Sequence, residues 1–431
     1  MDNVTHGLAG LLVADVARQV LTAQGTTVGT RLWRALSVLG IVAAEFPDSD
    51  LIYSGPVLDM GSMGYLLHHR GHTHTIVWAV VSALLLWQVA RWWVGRAGEP
   101  VPRAASRTLL VVALVGTLSH LLLDYTNSYG VHPFWPLDGR WYYGDAVFIV
   151  EPWLWLVAIP PLFWNRPRGI GRVLLPLFLV AILAAVLLLG QVARDVSVVL
   201  LVFAALWAVG QRFLSVTGRT VSGVVAWLLV TVGFFVASSR AEARVRDAVT
   251  VASAASGERV YDVVLNPGPG DWGCWSAMVV TGTDSSYRVT TAFVAPFASV
   301  RPLSTCTSGY LTGRLGADVL GALTVRDVVP FLATPQVQWR STWRTSRQAL
   351  SALYATCEGY AALHFMRVPL FFATGSGYSL DDARFGLGGG FSHVDIPTPG
   401  CSRGTYWVPG WVPPRGDLVG GPDQLETENS N

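Results

Sequence analysis

Lysine is absent from this 431-residue chain: all thirty of its basic residues are arginine. Charge of either sign is scarce, at 13% of residues against the roughly 25% of an ordinary soluble domain, which excludes a cytosolic globular enzyme. The formal net charge is only +2, so there is no basic excess to attract nucleic acid, and none is expected as a partner. Met1–Gly7 carries no basic residue and no small-residue cleavage site follows cleanly, which argues against a removable signal peptide. Cysteine is scarce too, at four residues.

Apolar residues take up the difference. They make up 52% of the chain, and mean hydropathy is +0.43. Runs near the ~20 residues that cross a bilayer lie at Thr75–Val94, Thr108–Leu123, Ala146–Trp164, Arg172–Ala193, Val196–Phe213 and Val221–Ser238. His6–Thr22, interrupted by Asp15 and Arg18, and the shorter Trp33–Phe46 precede them. The fold class that follows is a polytopic α-helical membrane protein with about eight transmembrane helices. Asp15 and Arg18 read as a helix-face ion pair or an interfacial contact.

Cytoplasmic loops retain basic residues. With eight spans, one side receives twelve arginines: Arg18, Arg31, Arg34, Arg91, Arg96, Arg103, Arg107, Arg166, Arg168, Arg172, Arg212 and Arg219. The short loops of the other side receive three, Arg70, Arg140 and Arg194. This split predicts a cell-membrane protein with both termini outside the cytoplasm. Residues 1–239 form the transmembrane domain on this reading. After Ser239, β-rich runs alternate with Gly/Pro turns, which predicts a mainly β extracytoplasmic domain over Arg240–Pro414 and a disordered polar tail over Arg415–Asn431. Cys274, Cys306, Cys357 and Cys401 all fall in that domain. Two disulfides suit an oxidising compartment, four buried thiols being the alternative, and the spacing does not fix the pairing.

The ionisable residues are concentrated early. His6, Asp48, Asp50, His69, His74, His120 and Asp124 all lie at the ends of apolar spans, where such groups are costly and mark functional sites. In the eight-span topology four separate segments deliver them to one membrane face. His120 and Asp124, four apart, share a helix face; Asp48 and Asp50 are alternate residues that can point the same way, one of them able to bridge two metals. Histidine nitrogen with aspartate oxygen and no cysteine suits Zn²⁺, with Mn²⁺ or Fe as alternatives. Seven ligands exceed what one tetrahedral ion needs, so two or more ions are expected. Taken singly, His6 reads as an interfacial residue, the His68–His74 run as a pH-sensitive loop, and His120/Asp124 as a buried hydrogen-bonded pair. Trp135, Trp141, Tyr142, Tyr143, Trp153 and Trp155 read as an interfacial aromatic belt or a sugar- or lipid-binding wall.

At these residues the chain resembles the YdjM family, described as membrane-bound metal-dependent hydrolases. The matching pieces are Met1-Asp-Asn-Val-Thr-His6-Gly, Phe46-Pro-Asp-Ser-Asp50, His69-Arg-Gly-His-Thr-His-Thr75 and Ser119-His-Leu-Leu-Leu-Asp124. They continue through Thr126-Asn-Ser-Tyr-Gly130, His132-Pro-Phe-Trp-Pro136 and Gly144-Asp145, and more weakly at Phe365-Met-Arg-Val-Pro369 and Asp382-Ala-Arg-Phe385. The resemblance implies His6, Asp48, Asp50, His69, His74, His120 and Asp124 as metal or catalytic residues and asks for no histidine at His68 or His72. Glu151-Pro152 stands where the family has Asp-Pro.

A site of this kind at bilayer depth selects lipids or lipid-linked envelope molecules, and its ligand types are similar to those of zinc-dependent phospholipases C. Phosphoester hydrolysis by metal-activated hydroxide is therefore the expected chemistry. Asp50, Arg70 and Asp145 are the candidate catalytic residues, Arg70 as a phosphate clamp; Tyr125, Asn127 and His132 are candidates for the surrounding shell. The competing readings are a metal-ion or small-solute transporter and an envelope scaffold. The oligomeric state is not legible.

Overall fold

In the structure, a computed structural model, the described residues are 1–55, 57–58, 60–96, 100–167, 169–313, 320, 331–398, 401 and 405–418. The first half is helical: α1 (Asn3–Ala23), α2 (Thr30–Glu45), α3 (Asp50–Ser54), α4 (Ser62–His68), α5 (Ile76–Gly95), α6 (Arg103–Tyr125), α7 (Pro152–Asn165), α8 (Gly171–Leu188), α9 (Arg194–Arg212) and α10 (Val216–Ser256). Helices 5, 6, 8, 9 and 10 are long and apolar enough to cross a membrane, which gives five candidate crossings where the sequence predicts about eight. The remaining three predicted spans are also helical. However, α1 carries His6, Asp15 and Arg18, while α2 has 16 residues and α7 only 14.

Local chemistry sets the helix ends. Asp2 caps α1 by accepting from the Thr5 amide at 3.0 Å, and Thr75 caps α5 by accepting from Trp78. Asp15 pairs across helices with Arg166, 3.4 Å away, and not with Arg18 as the sequence suggests. Helices α1 and α2 touch at Gly10 and Gly40, where a Cβ on Gly10 would sit 2.1 Å from the Gly40 carbonyl oxygen. Only glycine permits that approach, the usual device for close helix pairs in a membrane.

The composition break at Ser239 is not a structural break. Helix α10 runs unbroken through it for 41 residues and packs on the first sheet. That sheet is antiparallel, in the order β1 (Arg259–Gly268), β2 (Asp271–Gly282), β3 (Ser286–Val294) and β4 (Val337–Ser346). The short α11 (Gly309–Thr312) precedes β4; α12 (Arg347–Tyr354) and α13 (Cys357–Leu363) follow it. A second antiparallel sheet holds β5 (Pro369–Thr374), β6 (Gly377–Asp382) and β7 (His393–Pro397). Disulfides join Cys274 to Cys306 and Cys357 to Cys401.

The domain is set into the bundle rather than tethered to it. One apolar core runs from Leu8 and Ala158 in the helices through Val245 and Val249 of α10 to Val263 and Trp275 in the first sheet. Several members of the predicted aromatic belt lie in this junction. Trp141 donates to the His364 carbonyl at 2.7 Å, Trp153 to the Gly270 carbonyl at 2.9 Å and Trp155 to Thr5 at 2.8 Å. Their indole N–H groups are used up on partners within the protein instead of facing headgroups. The start of the predicted tail is also folded: Arg415 is buried over the Tyr261 and Tyr287 rings. From residue 419 onward the tail lies outside the described residues.

Candidate metal centre

Four segments converge at one end of the bundle. The first turn of α1 brings His6; the 3₁₀ turn Phe46–Ser49 and the start of α3 bring Asp48 and Asp50; the loop between α4 and α5 brings His69, Arg70 and His74; the last turns of α6 bring His120 and Asp124. His6, Asp50, His74, His120 and Asp124 are at most 1% exposed.

Hydrogen bonds fix the histidine tautomers. His120 Nδ1 lies 2.6 Å from the Ala44 carbonyl oxygen, so it carries the proton. His69 Nδ1 donates to Asp50 Oδ1 at 3.0 Å. His74 Nδ1 lies 3.2 Å from Asp50 Oδ2 and 3.1 Å from the Thr73 hydroxyl; that hydroxyl already gives its proton to Asp50, so His74 Nδ1 is a donor too. Burial alone would raise the Asp50 carboxyl, but the imidazole hydrogen bonds from His69 and His74 outweigh it and hold Asp50 below the ordinary carboxylate range.

With Nδ1 protonated, Nε2 is the atom that His74 and His120 can offer as a ligand. The Nε2 atoms of His74 and His120 face each other at 3.0 Å. Both lie 3.4 Å from Asp48 Oδ1, and they are 3.2 and 3.3 Å from Asp124 Oδ2. With neutral imidazoles and ionised carboxylates these are four acceptors, which repel unless a proton or a metal cation sits between them. A tetrahedral ion with bonds of about 2.0–2.1 Å holds its ligand atoms about 3.3 Å apart, the spacing seen here, so the residues fit a metal. Asp48, Asp50 and His69 form a second group whose ligand atoms lie within 4.8 Å of one another. Asp48 belongs to both.

The remaining predicted residues surround this set. His6 stacks on His120, ring centroids 3.8 Å apart, with Nε2 3.3 Å from Asp124 Oδ1. The same oxygen receives the Met1 amino group and, at 3.0 Å, Arg70 Nη2. Arg70 adopts φ 59°, a left-handed conformation rare outside glycine; its amide donates to Asp50 at 2.9 Å and its Nη1 to Asn127 Oδ1 at 3.1 Å. Asp145 stands apart, paired at 2.9 Å with Arg367 of the C-terminal domain. Tyr125 packs on Phe235. His132, pushed down to about 3 by burial, stacks on Trp411 at 4.0 Å. His68 and His72 lie against Trp407 and Trp411 rather than in the cluster.

Sequence reasoning missed Tyr129 and Arg384. The Arg70 guanidinium lies 4.3 Å from the Tyr129 ring centroid. Arg384 Nη1 donates to the Ser128 and Tyr129 carbonyls at 2.7 and 3.2 Å, so the β domain braces the loop against which Arg70 rests. Both residues fall in pieces that carry the family resemblance, Thr126–Gly130 and Asp382–Phe385, which was the available signal.

Residues 1–194 match the family described as YdjM inner membrane protein. The inner membrane protein YbcI of Escherichia coli (strain K12) is 30% identical over 154 residues, covering 30% of this chain and 82% of that protein. No solved structure matches. The matched stretch contains every residue of the His/Asp cluster and stops before the β domain, and on this similarity the chain belongs to the YdjM family of inner membrane proteins.

Proposed function

We propose that the protein is a membrane-embedded, metal-dependent hydrolase whose centre faces the extracytoplasmic side and cleaves a phosphoester in a lipid or lipid-linked envelope substrate. The observation that carries this reading is the convergence of one ligand atom each from Asp48, His74, His120 and Asp124, all within 4.8 Å of one another. With Asp48, Asp50 and His69 as a second group, the donor types suit two zinc ions, or Mn²⁺ or Fe. Such ions, when bound, supply Lewis-acid polarisation of a phosphoryl oxygen and a water acidified toward neutral pH.

The chain's own groups do the rest. Asp50 accepts the Nδ1–H hydrogen bonds of His69 and His74 and so leaves both Nε2 atoms free to hold an ion. Arg70, anchored by Asp124 and Asn127, brings a guanidinium to the charge of a phosphate. The depth of the cluster keeps bulk water out.

Outward orientation is supported by the arginine asymmetry. An eight-helix bundle, with α1, α2 and α7 added to the five longer crossings, is supported by the contacts at its two ends. His6 and Glu151 lie at the end where the β domain sits, and Asp15, Asn165 and Thr220 meet at the other.

Elemental analysis of the full-length protein in detergent tests the reading. Two first-row metal ions per chain are expected, with loss of at least one in His74→Ala and Asp124→Ala; a wild type that purifies and reconstitutes metal-free sinks it. Accumulation of an intact phospholipid or lipid-linked phosphate in cells carrying Asp50→Ala would identify the substrate.

A further inference from the structure

A cavity of about 420 Å³ adjoins the cluster, with Asp48, His69 and Arg70 in one wall and Phe385 and Phe391 of the β domain in another. Three polar groups in its lining are buried without a hydrogen-bond partner: Arg70 Nε, Asn127 Nδ2 and the Tyr129 hydroxyl. The orientation of Asn127 is fixed, because its Oδ1 accepts from both Arg70 Nη1 and the Tyr129 amide. Its Nδ2 and Arg70 Nε can therefore only donate, and a phenol donates readily. An unsatisfied buried donor is costly, and three on residues that line one cavity point to a shared acceptor.

Apolar side chains line the cavity as well, beside Asp2 and Asn3. Leu51, Ile149 and Val150 line it, and each is more than a third exposed. Leu51 lies in α3, and Ile149 and Val150 lead into α7; on the eight-helix reading a chain leaving the cavity past them would enter the bilayer.

We infer that this cavity binds a phosphate ester by its oxyanion at Arg70, Asn127 and Tyr129 while its apolar substituent leaves past Leu51, Ile149 and Val150. The occupant is an amphiphile drawn sideways from the membrane, not a free phosphate. The inference deepens the phosphoester reading and rests on it for the choice of phosphate among oxyanions.

Calorimetric titration of the full-length protein with inorganic phosphate and with n-butylphosphonate, whose C–P bond a phosphoesterase does not cleave, tests it. Butylphosphonate is expected to bind at least tenfold more tightly than phosphate. Tyr129→Phe, which keeps the ring beneath Arg70, should weaken both ligands by a similar factor of about five to ten. Asn127→Asp, which keeps both accepted hydrogen bonds but adds a negative charge, should abolish both. Ile149→Ser should weaken butylphosphonate alone. Equal affinity for the two ligands, or unchanged binding in Tyr129→Phe and Asn127→Asp preparations that retain wild-type metal content, overturns the inference. The expected pattern in a protein that holds no metal and cleaves no ester would leave the binding site standing and defeat the hydrolase; metal and turnover without the pattern would do the reverse.

Discussion

Glu151 is a buried carboxyl outside the cluster, and its surroundings explain why a carboxylate sits where the family has Asp-Pro. It caps α7 by accepting from the Trp153 amide at 3.0 Å and reaches the β1–β2 turn by accepting from the Gly270 amide at 3.2 Å. Burial pushes it up to about 8 from an ordinary 4.5, so between those values the folded protein holds a proton that the unfolded chain has released. Stability from this group is full below the unfolded value and is lost as pH rises toward the folded one, by up to about 1.4 kcal/mol per pH unit. Thermal unfolding in detergent from pH 5 to 8 should therefore show a falling Tm, and Glu151→Gln should flatten the fall. Asp145 and Arg367 give a second test. Arg367 binds both Asp145 and Asp262, so Arg367→Met leaves two partly buried carboxylates without it and should cost about 1–3 kcal/mol in denaturation. Asp145→Asn, which leaves the Asp262 pair intact, should cost less and leave metal content unchanged.

Among the elements, the α1–α2 crossing is the tightest place to test. Gly10→Ala forces its Cβ into the Gly40 backbone and should destabilise by about 1–3 kcal/mol. Gly233→Ala in α10, where nothing lies within 4 Å, should not destabilise and, alanine being the better helix former, should add up to about 0.5–1 kcal/mol; unfolding of the two variants side by side measures the contrast. The helices were legible because a bilayer leaves few alternatives for a long apolar run, and the convergence of His120, Asp124 and the His69–His74 loop was legible because charge at a span end is rare. The short α7 was not, since Ala146–Val150 continues the apolar run yet forms part of the loop around the cavity. Nor was the fate of Trp141 and Trp153, whose partners are backbone carbonyls more than a hundred residues away. Arg384 was hidden for the same reason: it recognises the Ser128 and Tyr129 carbonyls, and a carbonyl has no side-chain identity to read.

At the scale of the whole molecule, the four ligand atoms of the principal group come from residues before 125, whereas the cavity needs Phe385, Phe391 and the Arg384 brace from beyond 380. Besides the shared core and the Trp141, Trp153 and Arg367 contacts, the unbroken α10 runs from one half into the other. Its 41 residues span about 60 Å at 1.5 Å per residue, twice the ~30 Å of hydrocarbon, so about half of it stands clear of the bilayer like a mast. A mast fixes bearing as well as height. One alanine inserted after Ser239 turns everything above it by about 100° and lifts it by about 1.5 Å, swinging Arg384 away from the loop it braces. Such a variant should keep its metal and lose butylphosphonate affinity. The helix thus helps to set the angular phase between the half of the protein that carries the His/Asp cluster and the half that closes the cavity beside it.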